Sequence, residues 1–100
     1  MSNDWAFAEP QTHAVVTLKQ ITEGEAPILL VFHEKSDGDW LFLDGGPFSV
    51  EEASLVPFQT IATLDPSIVE LAKLPPGWTA KRSARGEPWQ CSPSKELPEA

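Results

Sequence analysis

The sequence predicts an α+β fold: a single domain built on an antiparallel sheet of four to five strands with two or three short helices. Three observations predict it. The chain has 100 residues, of which 41% are hydrophobic and 22% are charged, as in one ordinary globular domain. Apolar segments of strand length are separated by turn residues. The segments with helical spacing are short.

The clearest element is a β-hairpin over residues 28–43. Residues 28–33 and 40–43 are apolar and of strand length, and the Asp37-Gly38 step between them is a strong turn signal. Neither strand alternates cleanly between apolar and polar residues. We therefore expect the hairpin at the centre of the sheet, covered on both faces by helices, by chain arms or by a partner.

The segment before the hairpin combines two weaker signals. Residues 14–16 are β-prone. Thr17 at an N-cap, apolar residues three apart and Gly24 just past the end favour one or two helical turns over residues 17–23. We expect a strand followed directly by a short helix.

The segment after the hairpin is ambiguous at first and then clear. Within residues 48–64, both a strand near residues 55–56 and a helix over residues 58–64 fit the pattern. A further helix is predicted over residues 66–73, because Asp65 is a favoured N-cap and the proline that follows it loses no hydrogen bond at the first helical position.

The last part of the chain favours strands over residues 78–82 and 89–91, joined by a turn. Residues 92–100 contain two prolines among mostly polar residues, which predicts a flexible C-terminal tail. The domain itself is therefore expected to occupy residues 1–91.

The charge is strongly acidic, at −8, and it is unevenly distributed. Residues 1–70 contain 12 acids and 2 bases, whereas residues 71–100 contain 3 acids and 5 bases. Nucleic acids and anionic membranes attract basic surfaces, so we expect neither as a partner. A basic protein, in contrast, would be steered toward such a surface.

The single cysteine, Cys91, excludes an internal disulfide and fits a reducing cytoplasm. The N-terminal residues lack the basic and apolar regions of a signal peptide. The densest apolar stretch, residues 28–32, is far too short to span a bilayer. We therefore expect a cytoplasmic protein.

The hairpin turn contains the densest set of potential metal ligands: His33, Glu34, Asp37 and Asp39. Their spacing differs from the twelve-residue calcium loop, and zinc would require His and Cys ligands at short spacings that the chain lacks. A solvated turn, in which the Asp-Gly step serves the backbone geometry, explains these residues better. We predict no metal and no cofactor.

A catalytic pair would require Cys91 together with His13 or His33. No helix N-terminus or adjacent cation is predicted to activate Cys91. The glycines of residues 45–47 lack the features of a phosphate-binding loop, and no serine lies in a nucleophile elbow. We predict no catalytic residue and a protein that is not an enzyme.

The tryptophans indicate where a partner could bind. Trp78 and Trp89 each follow a proline-containing turn, which presents the ring at an edge. Core packing is the default for each ring, but tryptophan is also enriched among interface anchors. Together with the acidic turn residues Asp37 and Asp39, they are the candidate partner-binding residues.

Three segments carry a resemblance to a known family: residues 37–45 (DGDWLFLDG), 64–68 (LDPSI) and 74–82 (LPPGWTAKR). In this order they resemble a family of small bacterial proteins similar to the predicted immunity proteins of polymorphic toxin systems, the type numbered thirty-three. The resemblance extends over residues 13–90. It implies a protein that binds and blocks a toxin, and it assigns no catalytic residue.

The sequence thus favours a non-catalytic protein-binding domain, in the manner of an immunity-like inhibitor that blocks a toxin or enzyme through an acidic surface. Two alternatives stay open. One is a small-ligand or metal-binding protein, or an enzyme, that uses the turn over residues 33–39. The other is a structural homodimer with a shared sheet, because the sequence does not choose between a monomer and a homodimer.

Overall fold

The computed structural model describes residues 5–36, 38–47 and 49–94. Within these residues six strands form one sheet, and two short α-helices and two 3₁₀ helices connect them. The strands are β1 (Ala14–Leu18), β2 (Leu30–His33), β3 (Trp40–Leu43), β4 (Ala53–Pro57), β5 (Trp78–Lys81) and β6 (Gln90–Pro93). The helices are α1 (Lys19–Thr22), a 3₁₀ helix (Val50–Glu52), α2 (Phe58–Leu64) and a second 3₁₀ helix (Pro66–Leu71).

The α+β class and the single domain are confirmed, but the sheet is mixed and larger than predicted. Its strand order is β4-β1-β3-β2-β5-β6. β1 and β3 are parallel, with Val16 opposite Leu41, and the other neighbouring strands are antiparallel. The prediction of an antiparallel sheet with four to five strands was wrong because β1 inserts between β3 and β4, a long-range pairing that no local pattern encodes.

The predicted hairpin is confirmed. β2 and β3 pair in antiparallel register from Leu30 opposite Leu43 to His33 opposite Trp40. They occupy the two central positions of the sheet, between β1 and β5. Strong turn chemistry and two apolar strands were therefore sufficient to place the centre of the fold.

Within the described residues there are four helices, two α and two 3₁₀, where two or three were predicted, and they differ from the prediction in detail. α2 has the predicted bounds, and Asp65 caps the 3₁₀ helix Pro66–Leu71 by accepting a hydrogen bond from the Ser67 N–H. Thr17, however, does not cap α1. It lies inside β1, where its buried hydroxyl donates to the Phe42 carbonyl at 2.8 Å. None of the helices within the described ranges is long and apolar enough to cross a membrane.

The C-terminal strand extends past the predicted start of the tail. Ser92 and Pro93 belong to β6 and pair with Thr79 and Trp78, although the tail was expected to begin at residue 92. Residues 95–100 of the predicted tail lie outside the described residues. The pairing of β6 with β5 is extended by Ser94, whose N–H donates to the Gly77 carbonyl at 2.7 Å.

Candidate functional site

The contacts of the helices identify one face of the sheet as the covered face. The Phe58 ring of α2 lies 5.7 Å from the Trp40 ring and 5.6 Å from the Phe42 ring, centroid to centroid. In the N-terminal segment, the Phe7 ring contacts Trp40 edge-on at 5.3 Å. The Leu74 carbonyl, after the second 3₁₀ helix, lies on the same face. These contacts build the core on one side of the sheet.

The other face contains a row of apolar side chains that crosses four adjacent strands. Val16 in β1 lies opposite both Leu55 in β4 and Leu41 in β3, and Leu41 lies opposite Phe32 in β2. Because paired residues share a face and side chains alternate along each strand, all four point away from the covered face. Leu55 is 71% exposed and the other three are partly exposed. We call these four residues the apolar row and their side of the sheet the open face.

The apolar row has defined limits. On β5 and β6 the same row continues with Thr79 and Ser92, which are polar. Leu18 and Leu43 share its face but are buried, at 0% and 6% exposed. The exposed apolar surface therefore lies across the middle of β4, β1, β3 and β2.

Two acids border the apolar row at the turn end of the hairpin. The Glu34 N–H donates to the Asp39 carbonyl at 2.7 Å, so these residues continue the register of β2 and β3 by one pair. Alternation places both side chains on the open face, and both are partly exposed. The Asp39 carboxylate also lies 3.7 Å from His13 Nε2. At the turn end of the hairpin the open face thus has a negative border beside its apolar row, whereas the exposed Lys81, opposite Leu30, lies on the same face toward the other end of the strands.

The four predicted partner-binding residues are not brought together. Asp37 lies outside the described residues, and Asp39 borders the apolar row. Trp78 lies opposite His33 on the covered face and packs against the core. The Trp89 ring lies 4.0 Å from the guanidinium of Arg82. Both rings contribute packing, and their role in binding a partner stays a prediction.

Arg82 is at the centre of a buried polar network that fastens β5 to the helices. Its guanidinium pairs with the Asp65 carboxylate, donates to the Ser67 hydroxyl at 3.0 Å and donates twice to the Ile28 carbonyl, at 2.9 and 3.1 Å. Burial alone would raise the pKa of Asp65, but the hydrogen bonds from Ser67 and Arg82 and the charge of Arg82 outweigh it, so the pKa is lowered. The network satisfies its own members and offers little to a ligand.

A cleft of about 220 Å³ lies beside this network. Its lining includes Glu25, Leu64 and Arg85 as well as Asp65. The Arg85 guanidinium donates to the Leu64 carbonyl at 2.9 Å, and the Asp65 carboxylate is already bound to Arg82. The Arg85 and Asp65 side chains of the cleft are therefore engaged with the protein itself.

His33 is turned into the core and away from the hairpin turn. Its Nδ1 lies 2.7 Å from the Leu74 carbonyl, which can only accept, so Nδ1 carries the proton. The ring stacks on Trp40 at 3.9 Å, and Nε2 lies 4.0 Å from the Glu9 carboxylate. In the part of the chain that the structure describes, no group of three or more potential ligands could hold a metal ion.

Cys91 is exposed on the edge strand β6. Two strand spacings, about 10 Å, separate β6 from β2, which contains His33, so these residues are too far apart for a nucleophile–base hydrogen bond. The surrounding protein removes enough water to raise the pKa of the thiol. A raised pKa keeps Cys91 in the unreactive thiol form at neutral pH.

Comparisons of the chain with protein-family models, with curated proteins and with solved structures found no match in any of the three. The function is therefore inferred from the geometry of the chain itself. The apolar row was not predicted from the sequence, although one signal for it was present. The two strands of the hairpin are apolar on both faces, while the ring contacts of α2 and of the N-terminal segment lie on one of them.

Proposed function

We propose that this chain is a non-catalytic protein-binding domain that recognises a basic protein partner, as an immunity-like inhibitor of a toxin or enzyme would. One observation carries the proposal: the apolar row, in which Leu55 is 71% exposed and the other three residues are partly exposed, crosses four strands of a well-paired sheet. Contiguous exposed apolar side chains with a polar border are typical of interaction surfaces. The hairpin sequence predicts that helices, chain arms or a partner cover its two faces. Since α2 and the N-terminal segment pack on the covered face, we assign the open face to a partner.

The electrostatics of the chain support a basic partner. Acids outnumber bases by 15 to 7. Of the bases, Arg82 is buried in its ion pair and Arg85 donates to a backbone carbonyl. Glu34 and Asp39 place negative charge beside the apolar row. Such a field accelerates the approach of a basic protein and weakens as salt increases.

The resemblance to immunity proteins is compatible with this proposal and supports it through the fold. Its three segments contain the strand β3, the capped start of the second 3₁₀ helix and the strand β5. Their most distinctive residues, Trp40 and Asp65, are buried. Such segments specify a scaffold and leave the partner to the surface. The proposal includes a cytoplasmic location, which the single unpaired cysteine favours.

Affinity purification with matched variants tests the proposal. We expect the wild type to retain a basic protein at about 50 mM salt and to release it at about 500 mM, because screening weakens the attraction. Leu55→Lys should lose the partner, since it places a cation and a polar group in the apolar row. Val69→Lys is the matched control, because Val69 is 43% exposed on the second 3₁₀ helix, which together with α2 we call the helical layer.

Three outcomes would contradict the proposal: no partner recovered by the wild type, a partner that resists salt, or equal recovery by both variants. A toxin gene beside the gene for this chain would identify the first protein to test. An adjacent biosynthetic operon would count against the immunity-like role.

A further inference from the structure

The edge strand β4 offers few backbone groups to an incoming strand. The Phe58 N–H donates to the His13 carbonyl at 2.8 Å, which fixes the phase of the ladder between β4 and β1. By this phase the backbone groups of Ala53, Leu55 and Pro57 face away from β1. Pro57 has no N–H, and the Ala53 N–H donates to the Val50 carbonyl. Leu55 thus has the one outward N–H of β4 that is open to a partner strand.

The opposite edge strand, β6, also has a proline at an outward-facing position. The Ser94 N–H donates to the Gly77 carbonyl at 2.7 Å, so the backbone groups of Cys91 and Pro93 face outward. Pro93 has no N–H. Each edge of the sheet therefore has a proline at an outward-facing position near its end. Strand addition needs a run of alternating donors and acceptors, and neither edge provides one.

We propose that the partner binds the open face through an amphipathic α-helix with basic flanks, laid on the apolar row. This inference rests on the proposed function and specifies the element that fills its site. The row crosses four strands and is about 14 Å long at ordinary strand spacing. A helix with its side chains has a diameter of about 10–12 Å. The apolar stripe of one helix therefore covers most of the apolar row. On the opposite face, α2 packs its Phe58 ring against Trp40 and Phe42 of β3.

The acids at the border of the apolar row favour a helix with positive charge on its flank. Glu34 and Asp39 lie at the turn end of the hairpin, where lysine or arginine on the helix flank would meet them. A second copy of the chain fits less well. It would bring its own Glu34 and Asp39 to the same border, and the two copies, each with a net charge of −8, would repel each other.

A titration with designed peptides tests the inference. The probe is a peptide of about 14 residues made of leucine and lysine at helical spacing, long enough to cross the row. A peptide of the same composition with strictly alternating leucine and lysine favours a strand and is the control. The readout is the change in amide NMR signals. We expect the helical peptide to shift the amides of Val16, Phe32, Leu41 and Leu55.

Two variants test whether the helical peptide binds at the apolar row. Leu55→Lys should weaken the helical peptide by about tenfold or more, because Leu55 is the most exposed residue of the apolar row, whereas Val69→Lys should bind as the wild type does. The inference is overturned if the alternating peptide binds as tightly, if the shifted amides lie on the helical layer, or if Leu55→Lys has no effect. A dimer in sedimentation that Leu55→Lys dissociates would also overturn it, by assigning the open face to a second copy.

The two proposals fail separately. A salt-sensitive basic partner that binds the helical layer would overturn the helix-on-sheet inference and leave the proposed function intact. If the wild type recovers no basic protein, the proposed function fails, whatever the peptides do.

Discussion

The two faces of one sheet use the same strands for different purposes. On the covered face, Trp40 and Phe42 in β3 pack against Phe58, and the ring of His33 stacks on Trp40. On the open face, Leu41 lies between these two residues in sequence and is partly exposed. Adjacent residues of β3 therefore serve opposite needs. One set stabilises the fold, and the other set leaves apolar surface partly exposed to solvent.

The polar groups show the same contrast. The covered face buries charge only where the charge is compensated, as in the pair of Asp65 and Arg82. The open face keeps the carboxylates of Glu34 and Asp39 partly exposed at its border. The comparison predicts that substitutions on the covered face change the stability of the domain and that substitutions on the open face change binding.

The largest effect is expected for Phe58→Ala. Phe58 is fully buried and contacts several rings of the covered face, so truncation leaves a cavity and should lower the free energy of unfolding by about 3–5 kcal/mol. Denaturation by urea measures it. The matched substitution on the open face, Leu55→Ala, should cost less than about 1 kcal/mol, because Leu55 is mostly exposed. Similar costs for both would contradict the division between the faces.

Arg82→Ala should have the next largest effect. It leaves the buried carboxylate of Asp65 without a cation and removes both hydrogen bonds to the Ile28 carbonyl. We expect a loss of about 3 kcal/mol, near the lower limit for breaking a buried pair, because Ser67 still donates to Asp65. Arg85→Ala, on the exposed neighbour, is the control. A loss below about 1 kcal/mol would show that the network contributes little net stability.

The dependence of stability on pH should show the lowered pKa of Asp65. This pKa is lower in the folded than in the unfolded state. The ionised carboxylate therefore stabilises the fold at a pH above 3.8, its ordinary pKa. That contribution is lost as the pH falls below 3.8 and through the folded pKa. The difference in free energy of unfolding between the wild type and Asp65→Asn should therefore shrink under acid. A difference that stays constant with pH would contradict the assignment.

The smallest effect on stability is expected for Leu55→Thr. Threonine keeps the β preference of β4 and removes apolar surface from the open face. The free energy of unfolding should change by no more than about 0.5 kcal/mol, as at most surface positions, while capture of the basic partner falls. Val69→Thr should change neither. A marked loss of stability in Leu55→Thr would show that Leu55 packs within the domain.

Local signals in the sequence were sufficient for several elements. The Asp-Gly turn and the two apolar segments beside it located the central hairpin. Asp65 followed by proline located the start of a helix, since capping and the fixed φ of proline act within a few residues. The absence of alternation in the hairpin also indicated that both of its faces need cover. These features depend on the chemistry of neighbours in the chain.

The site itself could not be found in this way. The apolar row takes one residue from each of four strands, so it exists only once β1 has inserted between β3 and β4. Thr17 shows the same limit, since its hydroxyl bonds to Phe42 in another strand and does not cap the helix that follows it. Similarly, the contact between Trp89 and Arg82 became visible only in three dimensions.

The sequence by itself determined the α+β class, the acidic charge and the hairpin at the centre, because turn chemistry, composition and apolar runs act locally. Tertiary structure decided the strand order, the face that stays open and the prolines that close both edges. The physical reason is that burial is a property of the whole chain. A side chain in β3 is covered or exposed according to where α2 and the N-terminal segment pack, and those positions are set by contacts between residues far apart in sequence.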